Sequence, residues 1–259
     1  MHPILFTIGD FPVYTYGLTM SLAFVIGFGW VFYEAKRVGE DLDDYYNLCL
    51  ICLVGGIVGA RLLFVITTYQ DFVKDPWTIF NLRSGGLVWY GGLITVVLAI
   101  WGYTRWKGMS MYKVGDIMLP ATVLGLGVGR IGCIMSGCCY GKPSTLPWAI
   151  RYPVSPYIPV EISGQRLHPS PLYELIACFI IAGFLGYLQR HKTREGQVTW
   201  SFFLLYGIAR FILEFWRNDA ERGFVIPQTL STSQAISIPL ILLAILMLWR
   251  MRNPEEPQA

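Results

Sequence analysis

Three arginines, Arg61, Arg130 and Arg210, stand inside stretches that are otherwise apolar, and two acids, Glu174 and Glu214, do the same. A guanidinium is planar, permanently charged and carries paired N–H donors that fit a phosphate or a carboxylate. Ionisable groups within apolar spans are costly and mark functional sites by default. Arg210 and Glu214 are four residues apart and so share one face of a helix. Two readings stand: the arginines hold a phosphate, or each pairs with an acid and locks helices together. Around Arg130 the chain runs Gly125-Leu-Gly-Val-Gly-Arg130-Ile-Gly-Cys-Ile-Met-Ser-Gly137-Cys-Cys-Tyr-Gly141, with five glycines from 125 to 137. Such a run allows close approach to another backbone or to a ligand. No Gly-Lys-Ser/Thr follows, which speaks against a soluble-type phosphate loop. Cys133, Cys138 and Cys139 offer thiol chemistry: a Cys133–Cys138 bridge, or metal binding with His168, although that spacing matches no standard zinc pattern. A membrane thiol oxidoreductase using these three cysteines is the alternative reading. Cys49, Cys52 and Cys178 read as small packing residues.

The elements that must position these groups follow from composition. Of 259 residues, 14% are charged and 54% hydrophobic, and the mean hydropathy is +0.49; soluble proteins average roughly 25% charged. This excludes disorder, a coiled coil and an ordinary soluble enzyme. A net charge of +3 gives no sign of nucleic acid as partner, and six cysteines in a chain this long make no disulfide scaffold. A span needs about 20 mostly apolar residues. Seven are predicted, over 11–33, 46–69, 87–104, 114–135, 168–188, 198–216 and 230–248. The fold class is therefore an all-α membrane protein, a single polytopic domain over 1–259. Segment 136–167 forms a small cap between helices 4 and 5. It is rich in proline (Pro143, Pro147, Pro153, Pro156, Pro159) and is expected to be irregular, with short strands at most. The start lacks a basic n-region and a small-residue cleavage site, so the first segment is expected to be retained. Gly55/Gly59 and Gly125/Gly129 are each four apart and read as close helix packing.

Orientation follows from Lys and Arg. One set of flanks carries Lys36, Arg37, Arg105, Lys107, Lys113, Arg190, Lys192, Arg194, Arg250 and Arg252. The other carries Lys74, Arg83, Lys142, Arg151, Arg166, Arg217 and Arg222 on longer loops. The positive-inside rule puts the amino terminus outside and the carboxyl terminus in the cytoplasm. At ~1.5 Å per residue, Arg61, Arg130, Arg210, Glu214, His168, Glu174, Tyr16 and Tyr90 then gather at one depth, just under the outer surface. That is where lipid phosphates meet acyl chains. Asp116 falls at a cytoplasmic end and reads as solvated.

These residues resemble one known family, the bacterial prolipoprotein diacylglyceryl transferases. The matching pieces are Tyr16-Gly-Leu, Gly59-Ala-Arg61-Leu, Gly85-Gly-Leu-Val-Trp-Tyr90-Gly-Gly-Leu, Gly129-Arg130-Ile-Gly132, Gly137 to Gly141, His168-Pro-Ser-Pro-Leu-Tyr173-Glu174, Arg210-Phe-Ile-Leu-Glu214-Phe and Ser233-Gln234. The resemblance spans nearly the whole chain. It implies a seven-helix enzyme of the bacterial inner membrane, acting in lipoprotein biosynthesis. Such an enzyme moves the diacylglyceryl group of phosphatidylglycerol to the lipobox cysteine thiol of a preprolipoprotein, docked by its signal peptide, and releases glycerol 1-phosphate. It implies no metal and no organic cofactor. It makes Arg130, Arg210 and Tyr90 the catalytic positions, and Tyr16, Glu214, Gly91, Gly92, Gly141, Arg61 and His168 the further substrate-binding ones. Three positions depart from the family pattern: Tyr90 replaces a His proposed as the base, Cys133 an Asn and Cys138 a Glu. A phenol of ordinary pKa, about 10, is a poor base at neutral pH. The arginine field is then the expected activator of the acceptor thiol.

Overall fold

The computed structural model describes residues 1–73, 76–81, 85–152, 160, 163–218, 224–226 and 230–252. Lys74, Arg83 and Arg222 of the orientation argument, and the cap prolines Pro153, Pro156 and Pro159, lie outside the described residues. The first expected span opens instead with a hairpin, β1 (Ile4–Ile8) against β2 (Phe11–Tyr14), turning at Gly9 with φ +58°. The helices follow: α1 (Thr15–Arg37), α2 (Leu42–Leu50), a π turn (Ile51–Gly55), α3 (Gly56–Thr67), the short α4 (Tyr69–Phe72), a 3-10 turn (Pro76–Phe80), α5 (Trp89–Lys107) and α6 (Met111–Ser136). Two-residue strands β3 (Ile150–Arg151) and β4 (Arg166–Leu167) pair antiparallel within segment 136–167. Then come α7 (Ser170–His191), α8 (Gln197–Leu213) with a 3-10 extension (Glu214–Trp216), the hairpin of β5 (Phe224–Ile226) and β6 (Leu230–Ser231), and α9 (Thr232–Arg252).

Among the described residues six helical stretches are long and apolar enough to cross a bilayer: Thr15–Arg37, Leu42–Thr67, Met111–Ser136, Ser170–His191, Gln197–Trp216 and Thr232–Arg252. The seventh expected span corresponds to α5, which is not among them: Trp89, Tyr90, Gly91, Gly92, Trp101, Gly102, Tyr103 and Trp106 dilute its apolar core. Large apolar side chains such as Val25 (67% exposed), Ile180 (67%) and Leu242 (62%) point outward from their helices. Water would penalise such surfaces; lipid does not, and the chain is a multi-pass membrane protein.

The chain divides into two compact units, residues 1–30 with 115–259, and residues 31–114. In the first unit α8 packs against α7 and α9. Val123, Cys178, Ile181, Ala182, Leu185, Val198 and Phe202 form its core. Asp116, expected to be solvated, is fully buried there. Its Oδ1 accepts from the Thr199 N–H and hydroxyl, both at 2.8 Å, and its Oδ2 from the Gly196 N–H at 2.9 Å and Lys192 Nζ at 2.6 Å. The reason is local: α8 starts at Gly196, which has no side chain to cap the exposed helical N–H groups. Asp116 on α6 supplies that cap from a distant part of the sequence, where the helix dipole also favours an anion. Asp116→Asn puts an amide where four donors converge. It is expected to lower stability by about 1–3 kcal/mol, read as a shift of the denaturant midpoint in detergent. An unchanged midpoint would remove Asp116 from this role.

In the second unit α5 packs along α3. A side chain on Gly91 would run into the Gly59 carbonyl, and one on Gly92 would come within 2.6 Å of the Gly56 carbonyl. This is the close backbone approach expected of the small-residue spacing.

Candidate functional site

Arg130 sits at the carboxyl end of α6, Glu174 on the second turn of α7, and Arg217 one residue beyond the 3-10 extension of α8. Arg130 Nη2 donates to Glu174 Oε1 at 2.6 Å, and Arg217 Nη1 donates to Glu174 Oε2 at 3.2 Å. The carboxylate is 3% exposed and is shared by two guanidiniums. Arg210 and Glu214 form the expected same-helix pair at 3.0 Å. Arg210 Nη2 also donates to Ser233 Oγ on α9 at 3.2 Å. Its Nη1 is buried and has no hydrogen-bond partner among the described residues. Tyr206, one turn before Arg210, packs against the core cluster that includes Cys178, one turn after Glu174. Three guanidiniums against two carboxylates leave one surplus positive charge.

Arg217 was invisible to sequence reasoning, where it counted as a loop cation; it is 4% exposed. No spacing rule points from Arg217 to Glu174, 43 residues upstream. Tyr16, on the first turn of α1, is half exposed, and a methyl on Gly132 would meet its Cα at 3.2 Å. Gly141 is pinned by its N–H on the His168 carbonyl (2.9 Å) and forms a bridge to Arg217. A side chain there would strike Ser170, the Trp216 carbonyl and His168, so only glycine fits. His168 Nδ1 lies 3.1 Å from the Tyr173 hydroxyl, which also accepts from Trp148 Nε1 at 2.8 Å. His168 lines a cavity of about 880 Å³ with Arg151, Arg166 and Trp216 among its walls.

Arg61, Tyr90, Gly91 and Gly92 belong to the other unit. Arg61 is 6% exposed, and all five of its N–H donors are taken by main-chain carbonyls: Ile79 (2.8 Å), Gly85 (2.7 Å), Gly86 (3.0 Å), Thr78 (2.8 Å) and Asn81 (3.1 Å). Its guanidinium also stacks near the Phe64 and Phe72 rings. That leaves no donor for a phosphate, contrary to the substrate-binding expectation: the side chain braces the turn before α5. Arg61→Lys keeps the charge and loses the fork. It is expected to lower stability by about 2 kcal/mol or more, measured by thermal unfolding in detergent. Equal midpoints would overturn the brace. Tyr90 is 47% exposed on the first turn of α5, with its ring edge-on to Trp89. Gly91 and Gly92 serve the α3–α5 contact.

The thiols of Cys133, Cys138 and Cys139 lie within 4.8 Å of one another. Arg130 Nη1 is 3.7 Å from Cys133 Sγ. The three thiols hydrogen-bond with one another beside the Arg130 and Arg217 cations. His168 is not part of this group, and all six cysteines are free.

Apolar helices around a buried arginine–carboxylate network define a polytopic membrane protein. The profile of the prolipoprotein diacylglyceryl transferase family matches residues 3–250, and the chain belongs to that family. It is 34% identical over 245 residues to a protein of Clostridium tetani (strain Massachusetts / E88), covering 95% of this chain and 96% of that one. It is 31% identical over 256 residues to one of Clostridium botulinum (strain Langeland / NCTC 10281 / Type F), covering 99% of each. To one of Legionella pneumophila (strain Lens) it is 32% identical over 260 residues, covering 97% and 98%. All three relatives bear the name phosphatidylglycerol–prolipoprotein diacylglyceryl transferase. The thiol oxidoreductase reading finds no support: the family is one of transferases, and three close thiols alone do not outweigh it.

Proposed function

We propose that the protein transfers the diacylglyceryl group of phosphatidylglycerol to the lipobox cysteine thiol of preprolipoproteins at the outer face of the bacterial inner membrane. Family membership supports the reaction. The structural observation that carries the site is Arg210 Nη1, a buried donor with no partner among the described residues, in a cluster with one surplus positive charge. An unmet buried donor is costly, and a phosphodiester monoanion satisfies both its hydrogen bond and its charge. In this reading α5 is the seventh span, segment 136–167 caps the outer side, and the amino terminus is extracytoplasmic. The basic last turns of α1, α5, α7 and α9 support that orientation.

The lipid enters sideways from the outer leaflet, and its phosphate lies against Arg210 and Arg130. Tyr16, Gly141 and His168 line the headgroup side. The signal peptide of the acceptor docks from the bilayer. Its thiolate forms the C–S bond to the glyceryl carbon as the C–O bond to phosphate breaks, and glycerol 1-phosphate departs with the electron pair. The phosphodiester carries one negative charge and the departing monoester a second. The arginines therefore bind the leaving group more tightly as the reaction proceeds, which is what accelerates it. The same field stabilises the acceptor thiolate. Tyr90, which stands where the family has His, does not act as the base. Glu214 orients Arg210.

The test is an incubation of the purified protein with phosphatidylglycerol vesicles and a peptide bearing a lipobox cysteine. The peptide is expected to gain the mass of one diacylglyceryl group as one glycerol phosphate appears. Lipid binding with neither product would reduce the protein to a lipid-binding one and overturn the reading.

A further inference from the structure

We propose that Cys133, Cys138 and Cys139 form a site for one thiophilic d10 cation of the zinc and cadmium class, and that filling it draws Arg130 away from the substrate phosphate. The three sulfurs lie within 4.8 Å of one another. A metal about 2.3 Å from each of three thiolates sets them roughly 4 Å apart, so the trio needs only a small contraction. The convergence is built by the backbone. Cys133 lies on the last turn of α6, and its carbonyl accepts the Cys138 N–H at 3.1 Å. Neighbouring side chains on extended backbone point to opposite sides. Cys139 departs from that with φ +57°, unusual for a residue other than glycine, and its thiol turns toward the same centre as that of Cys138.

The charges also fit. A divalent ion displaces three protons from three thiols and leaves a cluster of charge −1. Arg130, already 3.7 Å from Cys133 Sγ, supplies the compensating cation. Three protein ligands leave a fourth position open to water, as in catalytic zinc sites. The transfer reading itself uses no metal, so the site would act on transfer only from beside it. A −1 cluster bound to Arg130 repels the lipid phosphodiester and holds the guanidinium on the thiolates and Glu174. This coupling rests on the transfer reading; the cation site does not.

The experiment uses the full-length protein in detergent, reduced with a phosphine and titrated with Cd(II). Thiolate-to-cadmium charge-transfer absorption is expected to saturate at one equivalent and to be displaced by Zn(II). Each of Cys133→Ser, Cys138→Ser and Cys139→Ser is expected to weaken binding at least tenfold, and each single variant keeps a hydroxyl in place of the thiol, so folding is retained. No band, or a band of equal strength in all three variants, overturns the site. Zn(II) at the filling concentration is expected to lower transfer at least tenfold, with recovery on chelation. An intact band with unchanged transfer overturns the coupling to Arg130. An intact band in a protein with no transfer in any condition counts against the proposed function and leaves the cation site standing.

Discussion

Arg210→Gln is expected to lower diacylglyceryl transfer by about a hundredfold to a thousandfold, the usual loss when one preorganised donor to a developing anion is removed. Arg210 Nη1 is a buried donor without a hydrogen-bond partner among the described residues, while Nη2 is committed to Glu214 and Ser233. The side chain is thus held by one end and offers the other. The loss should appear mainly in kcat, because the interaction strengthens as charge collects on the leaving phosphate. A rise in KM alone would mean that Arg210 holds the ground-state lipid and nothing more. Arg210→Lys should recover little, since an ammonium cannot reach Glu214, Ser233 and a phosphate from one fixed plane. Removing the arginine strands Glu214, whose side chain is 9% exposed. The double variant Arg210→Gln/Glu214→Gln therefore serves as the folding control: a well-folded, inactive double variant places the defect in chemistry. Full activity in Arg210→Gln would refute the phosphate-holding role.

Glu174→Ala is expected to damage both stability and activity. The carboxylate sits between Arg130 at 2.6 Å and Arg217 at 3.2 Å, and its removal leaves two guanidiniums facing one another in an apolar interior. Breaking a buried pair from one side costs about 3–5 kcal/mol, and here one group serves two partners. Glu174→Gln retains the shape and one acceptor, so it should fold better than the alanine variant. It should still transfer poorly, because Arg130 loses the partner that fixes its direction. Unfolding midpoints and single-turnover transfer measured side by side separate the two effects. A glutamine variant with unchanged midpoint and unchanged rate would show that Glu174 does not position Arg130.

What could be read in the sequence was what long apolar runs and short spacings encode. The helices are where hydropathy puts them, within a few residues, and Arg210–Glu214 pairs because four residues make one turn. The first span was misplaced at its start because Phe11, Val13 and Tyr14 are as apolar as helix residues, yet pair with β1. Asp116 was misjudged because its position at a helix end is a local property, whereas its burial depends on the α7–α8 turn folding over it. Arg130–Glu174–Arg217 joins residues more than 40 apart, and only the fold brings them together. Cys133, Cys138 and Cys139 are legible in the sequence as a thiol group for a bridge, a metal or redox work, but the convergence of their sulfurs depends on the backbone at Cys139, which composition does not specify.

Arg61 binds the turn before α5 entirely through carbonyl oxygens, which every amino acid possesses. The identities of Thr78, Ile79 and Asn81 are therefore dispensable to that anchorage. Substitutions at Ile79 are accordingly expected to leave the five Arg61 bonds in place, so that one cation keeps the course of the main chain while the side chains around it vary.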